Sequence, residues 1–285
     1  MTKLNILNNF SSKHYSSYPF PHFEIKNTFD DSTTKHLLKD YKLFIDFFKN
    51  QSAYQENNIR LQLSANDFFK SKVFKKSIWH DFVAHHTSKE FFLELLNIFS
   101  VDLKKTYPQF NLDKDEENLL GIRSDPSFNA KKNYVIDCQP GINTPVKTIT
   151  SVRGPHIDNP VELIGGLFYL KDTNDMSNGG DLLLYETTGK IYFKDKAEVQ
   201  NEENLKIYKK IKYSFNNCVF FLNTIKSIHS ITPRSLTNIT RNLTNIIIES
   251  YKDNNTYFKI TRKKNFLVKI NEYMKKSINN FIKTK

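Results

Sequence analysis

Apolar residues recur at intervals of three and four through the first third of the chain, and the interval changes near residue 130. Leu37, Leu38, Tyr41, Phe44, Ile45 and Phe48 fall on one face of a predicted helix, and Asp31-Ser32-Thr33-Thr34 in front of them supplies N-cap candidates. A second helix is predicted over 88–99. It opens on Thr87-Ser88 with Glu90 behind, and turns Phe91, Phe92, Leu95, Leu96 and Phe99 to one side. The first third is therefore α-rich.

From about Lys132 onward, short runs of β-branched and aromatic residues are separated by Gly, Pro, Asn and Asp clusters. Strands are predicted over 134–139, 146–152, 163–171, 181–186, 190–193, 205–213, 218–223, 227–232 and 241–251, which is the supply an eight-stranded jelly roll needs. Thr187-Thr188-Gly189 reads as a hairpin turn. Near the end, Phe266, Ile270, Tyr273, Met274, Ile278 and Phe281 line one side of a helix over 266–282, with lysines opposite. Docking on the sandwich is preferred for it over a membrane surface. The expected architecture is α+β with a mainly β core: an α-rich region over 1–125, a double-stranded β-helix of the jelly-roll or cupin type over 126–255, and a C-terminal amphipathic helix over 256–285.

Composition permits this. The 285 residues are 39% hydrophobic, with 24 Phe and 14 Tyr, enough for a large packed core. Cys138 and Cys218 both lie in apolar strand-like runs, so they are expected to be reduced and buried rather than part of a disulfide framework. The first residues lack the apolar stretch of a secretion signal, and no window is long enough to cross a bilayer, which makes the cytoplasm the expected location. The net charge of +12 invites a nucleic-acid reading. The lysines are scattered, however. Their densest clusters, at Lys209, Lys210 and Lys212 and at Arg262, Lys263 and Lys264, carry no interleaved aromatic motif, so a solvated surface is the expectation.

The candidate chemistry sits in the β-rich part. In Ser151-Val152-Arg153-Gly154-Pro155-His156-Ile157-Asp158, the pair His156 and Asp158 is spaced so that both side chains face the same way on extended backbone. His229 follows in a β-rich, otherwise apolar stretch. Two histidines and one carboxylate can hold one triangular face of an octahedral iron and leave three positions open, enough for a chelating co-substrate and dioxygen. A dicarboxylate co-substrate gripping the metal by its keto-acid end also needs a cation deeper in the barrel. Arg241, at the head of the Ile-rich run that follows His229, offers a planar, permanently charged fork for that purpose. Arg234, next to Pro233, competes with it. His14, His22, His36, His80, His85 and His86 read as structural histidines. Gly165-Gly166 and Gly179-Gly180 read as bulge or turn glycines that also let substrate approach the sheet.

The set His156-x-Asp158, His229 and Arg241, with Gly-Gly-Leu-Phe-Tyr-Leu at 165–170 and Gly-Gly-Asp-Leu-Leu-Leu-Tyr at 179–185, resembles the prolyl-hydroxylase-like branch of the 2-oxoglutarate/iron(II) dioxygenases. Pro-Phe-Pro-His-Phe-Glu-Ile-Lys-Asn at 19–27, followed by a helix, is similar to the usual start of such proteins. The resemblance covers that entry strand and residues 130–250, while 50–120 carries no motif of the family. It implies that His156, Asp158 and His229 bind Fe(II) and that Arg241 binds the distal carboxylate of 2-oxoglutarate. The reaction it implies uses O2 to hydroxylate an unactivated C–H bond of a small-molecule or peptidyl substrate, releasing succinate and CO2. Related halogenases lack the carboxylate ligand, so Asp158 implies hydroxylation. Two departures concern Arg241: many relatives place the basic residue slightly closer to the last histidine, and Leu243 stands where some branches have the serine of an Arg-x-Ser pair. Arg153, Asn143 and Asn159 are candidate substrate contacts. Other readings are a cupin-like metal-binding protein or isomerase, which would need a His-x-His set absent here, and a nucleic-acid demethylase of the same superfamily, supported by charge alone. A catalytically silent relative is disfavoured by the intact ligand set.

Overall fold

The computed structural model describes residues 4–110, 120–123, 133–251 and 257–260. In chain order its elements are β1 (Tyr15–Ser16), β2 (His22–Lys26), α1 (Asp31–Lys49), β3 (Arg60–Gln62), α2 (Ala65–Lys70), α3 (Ile78–His86), α4 (Lys89–Ile98), α5 (Ser100–Thr106), β4 (Leu120–Ile122), β5 (Tyr134–Asn143), β6 (Glu162–Leu170), β7 (Leu182–Thr187), β8 (Leu205–Ile211), β9 (Phe215–Leu222), β10 (His229–Ile231) and β11 (Arg241–Ser250).

Two sheets form. The larger runs β1-β2-β9-β6-β11-β5-β3, with β4 also paired to β5, and the smaller runs β10-β7-β8. Every pairing is antiparallel except β4 with β5. Leu167, Tyr169, Val219, Phe221 and Leu243 of the large sheet meet Leu182, Leu184 and Ile231 of the small one in a shared apolar layer. This is a jelly-roll-like architecture, two sheets packed face to face. The opposite face of the large sheet is covered by helices. Ile136, Cys138, Ile164, Phe168, Phe220 and Ile246 pack there with Leu37, Phe44, Trp79, Phe82, Phe91 and Leu95. Strands buried on both faces follow from this double coverage.

Capping and alternation explain most elements. Asp30 caps α1, its carboxylate accepting from Thr33 N at 2.8 Å, so the cap lies one residue before the run expected to supply it. Ser88 caps α4 by accepting from Phe91 N at 3.2 Å. Tyr41 ties α1 to the sheet: its hydroxyl donates to Leu243 O (2.6 Å) and accepts from Gly141 N (3.2 Å). Both cysteines are free and buried.

Two expected strands do not form. Residues 146–152 make only isolated bridges, Val146 with Thr237 and Thr150 with Arg234. Residues 190–193 form a loop held by side chains: Asn201 Nδ2 donates to Lys190 O (2.7 Å), and Asn201 Oδ1 accepts from Tyr192 N (2.8 Å). Local amide bonds of this kind replace a ladder. The helix expected over 266–282 lies outside the described residues. Among the described residues no helix is long and apolar enough to cross a membrane.

Candidate metal centre

The site is assembled by one backbone pairing. His156 N donates to His229 O at 3.0 Å and His229 N donates to His156 O at 2.9 Å, so the loop before β6 is bridged directly to β10. Residues paired in this way send their side chains to the same face. The imidazole centroids lie 4.2 Å apart, inclined by 59°. Asp158, two residues past His156, returns to that face as its spacing predicts.

Both tautomers are fixed by carbonyls. His156 Nδ1 lies 2.7 Å from Gly154 O, and His229 Nδ1 lies 2.9 Å from Ser227 O. A carbonyl only accepts, so each Nδ1 carries the hydrogen and each Nε2 presents a lone pair. Those lone pairs converge on the carboxylate: His156 Nε2 is 3.6 Å from Asp158 Oδ1, and His229 Nε2 is 3.7 Å from Asp158 Oδ2. Such separations are too long for hydrogen bonds. One donor atom from each residue lies within 4.8 Å of the other two, and no other such group occurs among the described residues. Two imidazole nitrogens and one carboxylate oxygen, aimed at a common point with open space beyond, fit a divalent ion of the Fe(II) type.

Electrostatics agree with the donor set. Burial, assisted by His156, pushes the His229 imidazole down to about 4, against the opposing pull of Asp158, so it is neutral and able to ligate at neutral pH. Burial alone would raise the Asp158 carboxyl, but His229, His156 and Arg153 together outweigh it and hold the group well below the usual carboxylate range. Glu162, on the same cavity wall, goes the other way. Burial, then repulsion from Asp158 and Glu249, push it up to about 9, leaving a neutral acid.

The triad opens on a cavity of about 500 Å³. Gly165, Leu167, Phe221, Asn245 and Ile247 line it, and Arg60 and Gln62 of β3 form its other wall. A Cβ on Gly165 would sit 3.0 Å from the Phe221 ring and 3.4 Å from Asp158 Oδ2, which explains the small residue there. Gly179 and Gly180, at φ +82° and +74°, are turn glycines.

The remaining expected residues are distributed unequally. Arg153 lies on the wall, 3.7 Å from Asp158 Oδ1, and donates to Lys196 O at 2.7 Å. Arg241 is fully buried but does not line the cavity. Its Nε and Nη2 donate to Gly180 O (3.0 and 2.8 Å), its Nη1 donates to Asn143 Oδ1 (3.1 Å), and its guanidinium lies 4.9 Å from the ring centres of Tyr169 and Tyr213. Arg234 is paired with Asp175 at 2.7 Å and also donates to Ser177 Oγ and Ile239 O. Asn159 is occupied in a turn, its side chain accepting from Val161 N. His22 and His86 are structural, each donating through Nδ1 to a backbone carbonyl, Phe20 O and Phe82 O. Arg60, Gln62, Arg123, Glu162 and Asn245 are cavity residues that sequence reasoning missed. Arg60 and Gln62 share one face of β3, which at three residues is too short for its alternation to stand out in the sequence.

No family model matches the chain, and no curated protein matches it. Similar solved structures include a prolyl 4-hydroxylase from Phytophthora capsici (15% identity over 82% of this chain, TM-score 0.42) and one from Pseudomonas putida (8% identity over 80% of this chain and 92% of that one, TM-score 0.41). The chain spans 60% of the length of the Phytophthora protein. A third is a prolyl hydroxylase from Trichoplax adhaerens in complex with a hypoxia inducible factor peptide fragment (15% identity, 88% of both chains, TM-score 0.38).

Proposed function

We propose that this chain is an Fe(II)- and 2-oxoglutarate-dependent dioxygenase that hydroxylates an unactivated C–H bond of a small-molecule or peptidyl substrate. The observation that carries this reading is the pair of Nε2 lone pairs and the Asp158 carboxylate converging on the wall of one cavity, with both Nδ1 atoms committed to carbonyls. Fe(II) held there, with 2-oxoglutarate and O2, would supply the oxidation, with succinate and CO2 as co-products.

The chain's own residues prepare that chemistry. His156 and His229 hold their donor atoms in place without reorganisation, because Gly154 O and Ser227 O fix both rings. Asp158 stays anionic, and Arg153 next to it limits how its carboxylate can turn. Leu167, Phe221, Ile231 and Ile247 give the cavity apolar walls that keep water from the reacting carbon. Glu162, uncharged at neutral pH, can donate a hydrogen bond to a polar substrate group. The donor cluster of three disfavours a cupin-type isomerase, whose metal would need further histidines or glutamates.

The test is an anaerobic titration of the native chain and His156→Ala with Fe(II) and 2-oxoglutarate, followed by the weak visible charge-transfer band, with succinate formation measured after oxygen is admitted. The native chain is expected to give the band and slow uncoupled succinate release, and the variant neither. A native chain without a band, or a variant that keeps it, counts against the reading.

A further inference from the structure

At one end of the cavity, where Arg123 and Arg153 reach solvent, three carboxylates share two arginines. Arg123 follows β4, and its Nη2 lies 3.1 Å from Oε1 of Glu249, a buried carboxylate that also accepts from Tyr251 Oη at 2.9 Å. Arg153 stands 3.7 Å from Asp158 Oδ1 and donates to Lys196 O. Each arginine therefore has its counter-charge. Glu162 has none. It lines the cavity, yet its carboxyl makes no hydrogen bond or ion pair among the described residues. A buried carboxyl that no cation meets takes up a proton, and here burial and the charges of Asp158 and Glu249 prevail over the pull of Arg123 and Arg153. This end of the wall is one cation short.

Strand register places Glu162 within reach of the metal donors. Glu162 stands opposite Glu249 in the β6–β11 pairing and Gly165 stands opposite Ile247, while a Cβ on Gly165 would come 3.4 Å from Asp158 Oδ2. Glu162 is thus two β11 residues, roughly 7 Å, from the row against which Asp158 lies, on the side away from Arg241. Arg60, the remaining arginine of the wall, pairs by register with Asn143 at the opposite end, beside Arg241. Fe(II) and the 2-oxoglutarate dianion carry equal and opposite charge, so loading the triad leaves the shortage at Glu162 in place. The amides of the wall lean the same way. Gln139 donates from Nε2 to Asp137 Oδ2 (2.6 Å), and its Oε1 accepts from Gln62 Nε2 (2.7 Å) and Asn245 Nδ2 (3.4 Å). Gln62 and Asn245 therefore turn their nitrogens toward Gln139 and, among the described residues, leave their carbonyl oxygens without a partner, offering acceptors to the cavity.

We propose that the substrate brings a protonated amine into this cavity and that Glu162 seats it, selecting a cationic substrate. The proposal narrows the dioxygenase reading above and rests on it for the identity of the molecule oxidised. The neutral state of Glu162 belongs to the empty cavity. When an ammonium faces it, the carboxyl gives its proton to solvent, and a charge-assisted hydrogen bond on the sheltered wall holds the amine while the attached carbon chain reaches toward the triad. Arg123 and Arg153, already matched by Glu249 and Asp158, bound the seat without competing for an anion. A free amine and a lysyl side chain carry the same group, and the experiment separates them.

Titration calorimetry on the full chain, loaded anaerobically with Fe(II) and 2-oxoglutarate so that no turnover occurs, tests this by equilibrium binding. The probes are n-butylammonium, 1-butanol and butanoate, similar in size and different in charge. The native chain is expected to bind n-butylammonium at least about 10-fold more tightly than either of the others. In Glu162→Gln, n-butylammonium is expected to bind about 10- to 100-fold more weakly, while 1-butanol stays within about two-fold of native. Glu162→Asp, which keeps the charge and shortens its reach, carries the test should the Gln variant not fold, with an expected loss of about 3- to 10-fold for n-butylammonium alone. Free L-lysine and a blocked lysyl tripeptide, titrated next, show whether the seat takes its amine from a small molecule or from a peptide. Butanoate bound as tightly as n-butylammonium, no binding of n-butylammonium, or native n-butylammonium affinity in either folded variant overturns the proposal and leaves the metal centre standing. A native chain that gives no charge-transfer band on loading overturns the Fe(II) reading instead, and the same comparison on the metal-free chain then judges the seat by itself.

Discussion

Both histidine ligands of the candidate centre are prepared by a neighbour two residues away. Gly154 O holds the His156 ring and Ser227 O holds the His229 ring, so the donor atoms are aimed by local backbone rather than by distant packing. The counterpart is Glu162, which burial and the charges of Asp158 and Glu249 keep protonated up to about pH 9. Its folded-state pKa lies above its unfolded value of 4.5, so in the metal-free chain the folded form binds the proton more tightly and stability falls as pH rises between those values. Glu162→Gln removes that penalty. Thermal unfolding of the metal-free chain should show the variant more stable by on the order of 1–2 kcal/mol at pH 8, with the gain vanishing below about pH 4.5. Equal melting temperatures across that range would mean that Glu162 ionises normally.

At the scale of elements, close approach decides what the sheet tolerates. Gly166 on β6 lies where a Cβ would come within 2.2 Å of the Phe220 ring on β9, which is buried under the helical layer. Gly166→Ala is therefore expected to lose about 1–3 kcal/mol in denaturant unfolding through overpacking. Its His156 and His229 proton signals should stay near native, since residue 166 points to the face opposite the triad; an unchanged midpoint would contradict the packing. The same double coverage explains what could be read from sequence. β5, β6, β9 and β11 are buried on both faces and long enough to stand out, and α1 and α4 carry their periodicity and caps in plain view. Short strands were not legible. β1, β3 and β4 are two or three residues long, too short for alternation to register, and they exist because the edges of the large sheet offer them hydrogen bonds. His156, Asp158 and His229 were legible because their spacing and residue types are chemically unusual. Arg60 was not, because nothing local separates it from the other 41 basic residues; only its place on the cavity wall in three dimensions does.

Across the whole molecule, one architecture serves two ends. The large sheet packs helices on one face to build stability and leaves its other face to form a cavity with the small sheet. In the β8 region basic residues are matched by carboxylates: Lys206 pairs with Glu186 (2.7 Å), Lys209 with Glu24 (2.9 Å) and Lys210 with Asp181 (3.3 Å). The cavity is then the feature that distinguishes the molecule functionally, and the metal centre is the claim on which its reading depends. Anomalous diffraction at the iron edge from crystals grown anaerobically with Fe(II) tests it most directly. The expected result is one strong peak bonded to His156 Nε2, His229 Nε2 and an Asp158 carboxylate oxygen. A fully iron-loaded crystal with its peak elsewhere, or with either imidazole turned away from the ion, would contradict the account.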